Sequence, residues 1–429
     1  MQLTRRAAIA AAVAASIRPG RSEAGSRDAD DLTVRLGADL RQHAQFGEKF
    51  TGGTGDLQTA DWIAARLTAA GYAVEQLRFS APSFALTRSI LTVGGESADV
   101  IPQPIVVATG PDGITAPIAV VREVEDAADA QGCIALIVLP FGRWAAIWSP
   151  AIATLIKAAA QAGAKAAVIV TTGPSGEAVM LNTPATAPFV ALPVAILAPK
   201  NAHRFLVAAR TRIPATLILD GRNDRRETSN VIGRLRRGPR WIALSTPRTG
   251  WFACVGERGT GTAAFLELAA WLAQRFPDLS ICALNSGAHE YDFDGMHRAM
   301  ELAPSARDTA LWVHIGAALA ALDYAEIGGQ LTALPSADSN RVLMASENVL
   351  PILAGAFAGI TGLERPRKVI SGAGELSGII ERGYGSAFAV LGVHRWFHTR
   401  QDTLDKVDAR LLTPVVRAHQ QAISQILAS

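Results

Sequence analysis

Apolar residues recur along this chain in two rhythms, and the alternation of those rhythms sets the expected architecture. Helical spacing over 31–46 and again over 59–70 predicts two helices, the second opened by Asp56 as N-cap and stopped at Gly71. Period-two alternation over 72–79 predicts a strand. Short apolar runs at 134–140, 165–171, 192–198 and 215–219 read as further strands, with helical patterns at 149–163 and 201–210 between them. The run 241–245 reads as a buried strand stopped by Thr246, Pro247 and Arg248. A second short apolar run follows at 252–255. Gly259, Thr260 and Gly261 then turn the chain into a helix over 262–273, free of Pro and Gly. A strand at 280–284 passes directly into Asn285, Ser286, His289, Glu290, Asp292 and Asp294. A strand is expected within 309–321, a polar loop at 335–341, a helix at 347–359, a strand at 387–393 and a last helix at 413–428.

Strand, loop, helix, strand, with polar residues at the carboxyl ends of strands, predicts an α/β fold: a doubly wound, mostly parallel sheet with its ligand crevice outside those ends. The composition changes at Pro82 and near Asp220. The expected division is therefore a segment 1–24, a first part of the main domain at 30–81, an inserted smaller domain at 82–220, and the rest of the main domain at 221–429. The insert is expected to have its own core and to touch the main sheet mainly through its two linkers.

Composition narrows the field. With 49% hydrophobic and 18% charged residues over 429 positions, the chain can fill two packed cores. A net charge of +3, and no basic run interleaved with aromatics, argues against nucleic acid as a partner. Arg5-Arg6 precede a weakly apolar stretch, 7–17, too short to span a bilayer, and small residues follow at 22–24. This pattern resembles a twin-arginine export signal and predicts an exported, periplasmic or secreted protein with no integral membrane segment in the mature chain. Cys133, Cys254 and Cys282 each sit in an apolar run and are expected as small buried side chains, although one bridge is open to them.

The segments 50–79, 227–294 and 396–408 together carry a family resemblance. SNVIGRL, a strand, Gly256-Glu257-Arg258-Gly259-Thr260-Gly261, a helix with LELA, a strand ending at Glu290, and a closing His398-Thr399-x-x-Asp402-Thr403 are similar to metallopeptidase family twenty-eight. That family comprises zinc aminopeptidases, glutamate carboxypeptidases and glutaminyl cyclases. The string AAAQAGAKAAVIV within 82–220 resembles a protease-associated domain, which in such peptidases covers the substrate cleft. The resemblance implies a peptide or peptide-like ligand and a site with two zinc ions.

Carried over position by position, the implied ligand set is incomplete. The His-x-Asp after the first strand falls on Thr246-Pro247-Arg248, the bridging Asp on Glu257, the Glu pair on His289-Glu290, a strand-end Asp on His314 and the final His on His398. Thr246, Arg248 and Arg258 are thus degenerate positions. Glu257, Glu290 and His398, with His314 able to join or replace one of them, could hold zinc, at most one ion. His289 would then be the candidate general base, at an ordinary imidazole pKa of about 6.5. Against any ion stand the arginines: a guanidinium about 4 Å from a divalent cation costs on the order of 8 kcal/mol at an effective dielectric of 20. Either they point away, or one of them pairs with Glu257 or Glu290 in the metal's place. Two readings follow: a catalytically impaired peptidase or peptide-binding pseudo-peptidase, or an active single-metal peptidase or aminoacyl/amide-bond hydrolase using Glu257, Glu290 and His398.

Other chemistries fit poorly. Gly259-Thr260-Gly261-Thr262-Ala263-Ala264 has dinucleotide-site spacing, but the next strand ends in Asn285 without the ribose-binding acid. There is no G-x-S-x-G elbow. Phe293 occupies the place where a zincin helix needs its second His.

Overall fold

The computed structural model describes residues 22–370 and 372–429. The segment 1–24, read above as an export signal, lies, but for 22–24, outside the described residues. No helix among them is long and apolar enough to cross a membrane.

A ten-stranded sheet is the frame. Its central strands, Ala387–Gly392, Thr309–Ile315, Trp241–Pro247 and Ser280–Ser286, lie side by side and parallel. Towards both edges the pairing turns antiparallel, with Arg341–Ala345 on one side and Ala215–Leu235 on the other. The strand alternation predicted for a doubly wound sheet is realised: Ile242 and Leu244 pack under one helical layer, while Ala243 points to the opposite face. The helices Ser22–Gln45, Thr54–Ala69, Thr260–Arg275 and Ala409–Ala428 cover the first face. Asp294–Met300 and Glu375–Glu381 cover the second, over Trp312, Cys282 and Ala389. The chain builds Ser280–Ser286 on one side of Trp241–Pro247 and then crosses to build Thr309–Ile315 on the other. The order reverses there, so the loops after these strands diverge and leave a crevice at their carboxyl ends.

Two strands of 21 residues each, Ala73–Val93 and Ala215–Leu235, form an antiparallel ribbon that leaves the main sheet and carries the chain into and out of a second body. Pro82 sits inside this ribbon, opposite Arg225, and the strand runs through it. Only the Ala215–Leu235 side is paired there, so the missing N–H of Pro82 faces an open edge. The composition change at Pro82 therefore marks where the ribbon leaves the main sheet, without a break in the strand.

The second body has its own five-stranded sheet, in the order Ile101–Pro102, Val194–Leu197, Ala166–Val170, Ile134–Val138, Ile118–Val121. Its contact with the main domain is wider than two linkers. Trp251, Phe252, Ala288 and Tyr291, from loops at the main sheet's carboxyl edge, belong to the same apolar cluster as Ile137, Ile156 and Leu181. The segment 322–337 also departs from expectation: Leu322–Ile327 and Gln330–Ala337 form a hairpin turned by Gly328-Gly329, so part of the predicted polar loop is strand. The three cysteines are free, Cys254 and Cys282 within the core.

Candidate functional site

The loops after the parallel strands converge on one buried cluster. The first leaves Trp241–Pro247, passes Cys254 at a left-handed φ of 42°, and makes a single wide turn over Val255–Gly259. This turn presents Glu257 and Arg258, both essentially unexposed. Asp402, from the closing motif, holds it by accepting the N–H groups of Gly256 (2.7 Å) and Glu257 (3.0 Å). Position 256 has to be glycine, since a Cβ there would stand 2.6 Å from Asp402 Oδ1. Burial, with Glu257 close by, pushes the Asp402 carboxyl up to about 8 in spite of those two donors.

Arg258 is the centre of the cluster. Its Nη2 lies 2.8 Å from Glu257 Oε1 and 3.8 Å from Glu290 Oε1. Neither approach has hydrogen-bond alignment, so Arg258 Nη2, Glu257 Oε2 and Glu290 Oε1 are buried without a hydrogen-bonded partner. The Arg258 Nε donates instead to Thr249 O at 2.8 Å, which fixes the fork. His398, at a φ of 58°, places Nε2 3.1 Å from Glu257 Oε1 and Nδ1 2.8 Å from Met180 O. Burial alone would raise the Glu257 carboxyl, but Arg258 and His398 hold it below the usual range. Glu290 is raised by burial, with Arg258 opposing and Glu257 reinforcing.

Glu257, Glu290 and His398 thus stand together around Arg258, whereas the other candidates are engaged elsewhere. Arg248 points away. Its Nε bonds Asp56 Oδ1 at 2.7 Å, one Nη bonds Asn285 Oδ1 at 2.9 Å and the other Ser229 O at 2.6 Å, with both partners of the ion pair unexposed. Asp56 also accepts from Gly52 N and Thr228 Oγ1, and Gly53 precedes the helix, so Asp56 is the Arg248 counter-ion and not the predicted N-cap. Thr246 Oγ1 donates to Ile315 O at 2.8 Å.

His314 and His289 meet on an acid absent from the sequence-based candidates, Glu375. Its Oε1 lies 2.8 Å from His289 Nδ1 and its Oε2 3.5 Å from His314 Nε2. Behind them, Trp312 Nε1 donates to Ser245 Oγ at 2.8 Å, leaving that hydroxyl to donate to His314 Nδ1 at 2.9 Å. Burial, then Arg258, takes His314 down to about 3 and holds His289 well below the imidazole range. The ordinary pKa expected of His289 assumed an exposed ring, and its Nδ1 is committed to Glu375. Burial pushes Glu375 up to about 8, Arg258 opposing and Glu290 adding.

Raised carboxyls have a stability signature. The folded state holds the Glu375 proton more tightly than the unfolded chain does, so its contribution is complete at acidic pH and is lost as pH climbs towards about 8. Glu375→Gln is expected to remove this slope. In urea denaturation the variant should gain on wild type by roughly 1–3 kcal/mol between pH 5.5 and pH 8. A constant difference between the two proteins would refute the buried neutral carboxyl.

Arg258, His289, His314 and Glu375 line a cavity of about 340 Å³, to whose wall the second body adds Trp148 and Asn182. The point between Glu257 and Glu290 that a shared divalent ion would take is occupied by a guanidinium nitrogen. Among the described residues no group of three or more His, Cys, Asp or Glu side chains is placed to hold a metal ion. While Arg258 holds this position, an ion shared by Glu257 and Glu290 has no room between them.

No family model matches this sequence, and no curated protein matches it. Solved structures do. A zinc aminopeptidase from Bacillus subtilis superposes with a TM-score of 0.71 at 19% identity, over 92% of this chain and 94% of that one. A peptidase M28 precursor from Shewanella amazonensis SB2B gives 0.70 at 15%, over 93% and 96%. An aminopeptidase from Aneurinibacillus sp. strain AM-1 gives 0.66 at 18%, over 92% and 93%. At these identities the likeness establishes the fold: the chain is built as the zinc aminopeptidases are, over nearly its whole length.

Proposed function

We propose that this chain is an exported, peptide-binding pseudo-peptidase, in which the zinc-aminopeptidase fold is kept and its two-metal chemistry lost. One observation carries the reading: the Arg258 guanidinium lies between the two buried carboxylates that a metal would bridge. The changes at the neighbouring positions agree with it. Thr246 is a poor zinc ligand, Arg248 is committed to Asp56, and His289 stands where a carboxylate base is implied. The second body, read as a protease-associated domain over the cleft, supplies Trp148 and Asn182 to the cavity wall and so forms part of the peptide site. Fold and cavity support a peptide as the ligand, and the Arg5-Arg6 pattern supports export.

The alternative, a single zinc on Glu257, Glu290 and His398, has one observation in its favour: Glu257 Oε2 and Glu290 Oε1 are both buried without a hydrogen-bonded partner. It requires the guanidinium to leave. An aminopeptidase assay on a panel of aminoacyl p-nitroanilides, with and without added zinc, separates the two. No turnover in either condition, together with saturable binding of unlabelled peptides by calorimetry, is the expected result. Zinc-dependent turnover that Glu290→Gln abolishes would overturn the proposal.

A further inference from the structure

A second cavity, of about 320 Å³ and sharing no lining residue with the Arg258 cavity, is within the usual size of a small-ligand pocket. Thr51 lines this cavity while its Oγ1 donates to Glu290 Oε2. The ribbon contributes Phe84, the loop after Trp241–Pro247 contributes Trp251 and Phe252, and the second body contributes Met180. The aromatic wall is fixed: Trp251 Nε1 donates to Asn182 Oδ1 at 3.1 Å, and Phe50 packs edge-on against Trp251 and Phe252, with ring centres 6.0 and 5.5 Å away. Rigid apolar walls of this kind bind a flat or aliphatic group without first having to order themselves.

Two features point to the other half of the ligand. The Tyr291 side chain is 6% exposed and lines the cavity, yet its hydroxyl makes no hydrogen bond to any described residue. The rim carries two arginines and one acid. Arg400 lies over the Phe252 ring at 4.6 Å and pairs with Glu48 at 3.3 Å, while exposed Arg226 has no acid within 4.0 Å among the described residues. An apolar chamber with an unused phenol in its wall and a surplus positive charge at its mouth matches an apolar body bearing a carboxylate.

We infer that this cavity is a second binding site, for aromatic carboxylates: Arg226 pairs with the carboxylate, Tyr291 donates to it or to a neighbouring carbonyl, and the ring packs against Trp251 and Phe252. A free N-acylated aromatic amino acid and the C-terminal residue of a peptide present the same group. The inference is separate from the proposed pseudo-peptidase, because it uses none of the residues around Arg258, and it stands or falls whatever the aminopeptidase assay gives.

The test is isothermal calorimetry on the full chain with N-acetyl-phenylalanine, its C-terminal amide, and a tetrapeptide ending in phenylalanine. The acid should bind saturably and more tightly than the amide by roughly tenfold, the worth of one charge-assisted hydrogen bond. Arg226→Gln, a change at an exposed position that leaves the fold untouched, should erase that difference. Ser83→Trp, at a half-buried lining position, should block acid and amide alike. Tetrapeptide binding that also depends on Arg226 assigns the site to peptide C-termini; its absence, with the free acid still bound, assigns it to small carboxylates. Equal affinity for acid and amide, an unchanged acid–amide ratio in Arg226→Gln, or no saturable binding of the acid would overturn the inference.

Discussion

Arg258→Met is expected to lower stability by about 3–5 kcal/mol in metal-free buffer, the range for breaking one partner out of a buried ion pair. Glu257 and Glu290 are both unexposed, and Arg258 is the first favourable charge acting on each. Without it Glu257 would take up a proton in the folded state, its pKa moving above the unfolded value. The loss should then deepen as pH rises from 5 to 8, because the unfolded chain gives up that proton more readily than the folded one. The variant also vacates the point between the carboxylates, so that Glu257, Glu290 and His398 can close on an ion there. Zinc is therefore expected to stabilise Arg258→Met and to leave wild type unmoved, a contrast that thermal unfolding with and without the ion reads directly. A variant as stable as wild type, or one indifferent to zinc, would show that Arg258 does not occupy a metal's place.

The second large effect is at Arg248. Its pair with Asp56 is fully buried at both ends, and its remaining donors go to Asn285 and Ser229, so Arg248→Met takes a donor from a carboxylate, a side-chain amide oxygen and a backbone carbonyl. A loss of about 3–5 kcal/mol is expected by urea denaturation. Asp56→Asn in the Arg248→Met background should recover part of it, since the charge goes while Gly52 N and Thr228 Oγ1 keep their acceptor. Strictly additive losses would mean that the two residues are not the pair described.

What the sequence makes legible is what depends on local pattern. The apolar runs at 241–245, 280–284 and 387–393 each became a central strand, because a strand buried on both faces must be continuously apolar. The convergence of Glu257, Arg258, Glu290 and His398 was readable because each follows a strand whose carboxyl end opens on the crevice. The long ribbon was not, because the strand expected at 215–219 stops short of the composition change near Asp220, and only the register against Ala73–Val93 keeps 220–227 extended. Glu375 was hidden for a similar reason. It lies after a Gly372-Ala373-Gly374 loop preceded only by the two-residue strand Arg367–Lys368, which has no apolar run to announce it, and only the fold brings Glu375 between His289 and His314. Asp56 shows the limit of spacing arguments: an acid before a helix suits an N-cap, and the guanidinium that claims it lies 192 positions away.

Metal content decides the central claim. Protein purified from zinc-supplemented cells, without chelator, should carry far less than one equivalent of zinc by elemental analysis, and dialysis against zinc should not raise it, because Arg258 already occupies the point between Glu257 and Glu290. Two tightly held equivalents accompanied by aminopeptidase turnover would contradict the account.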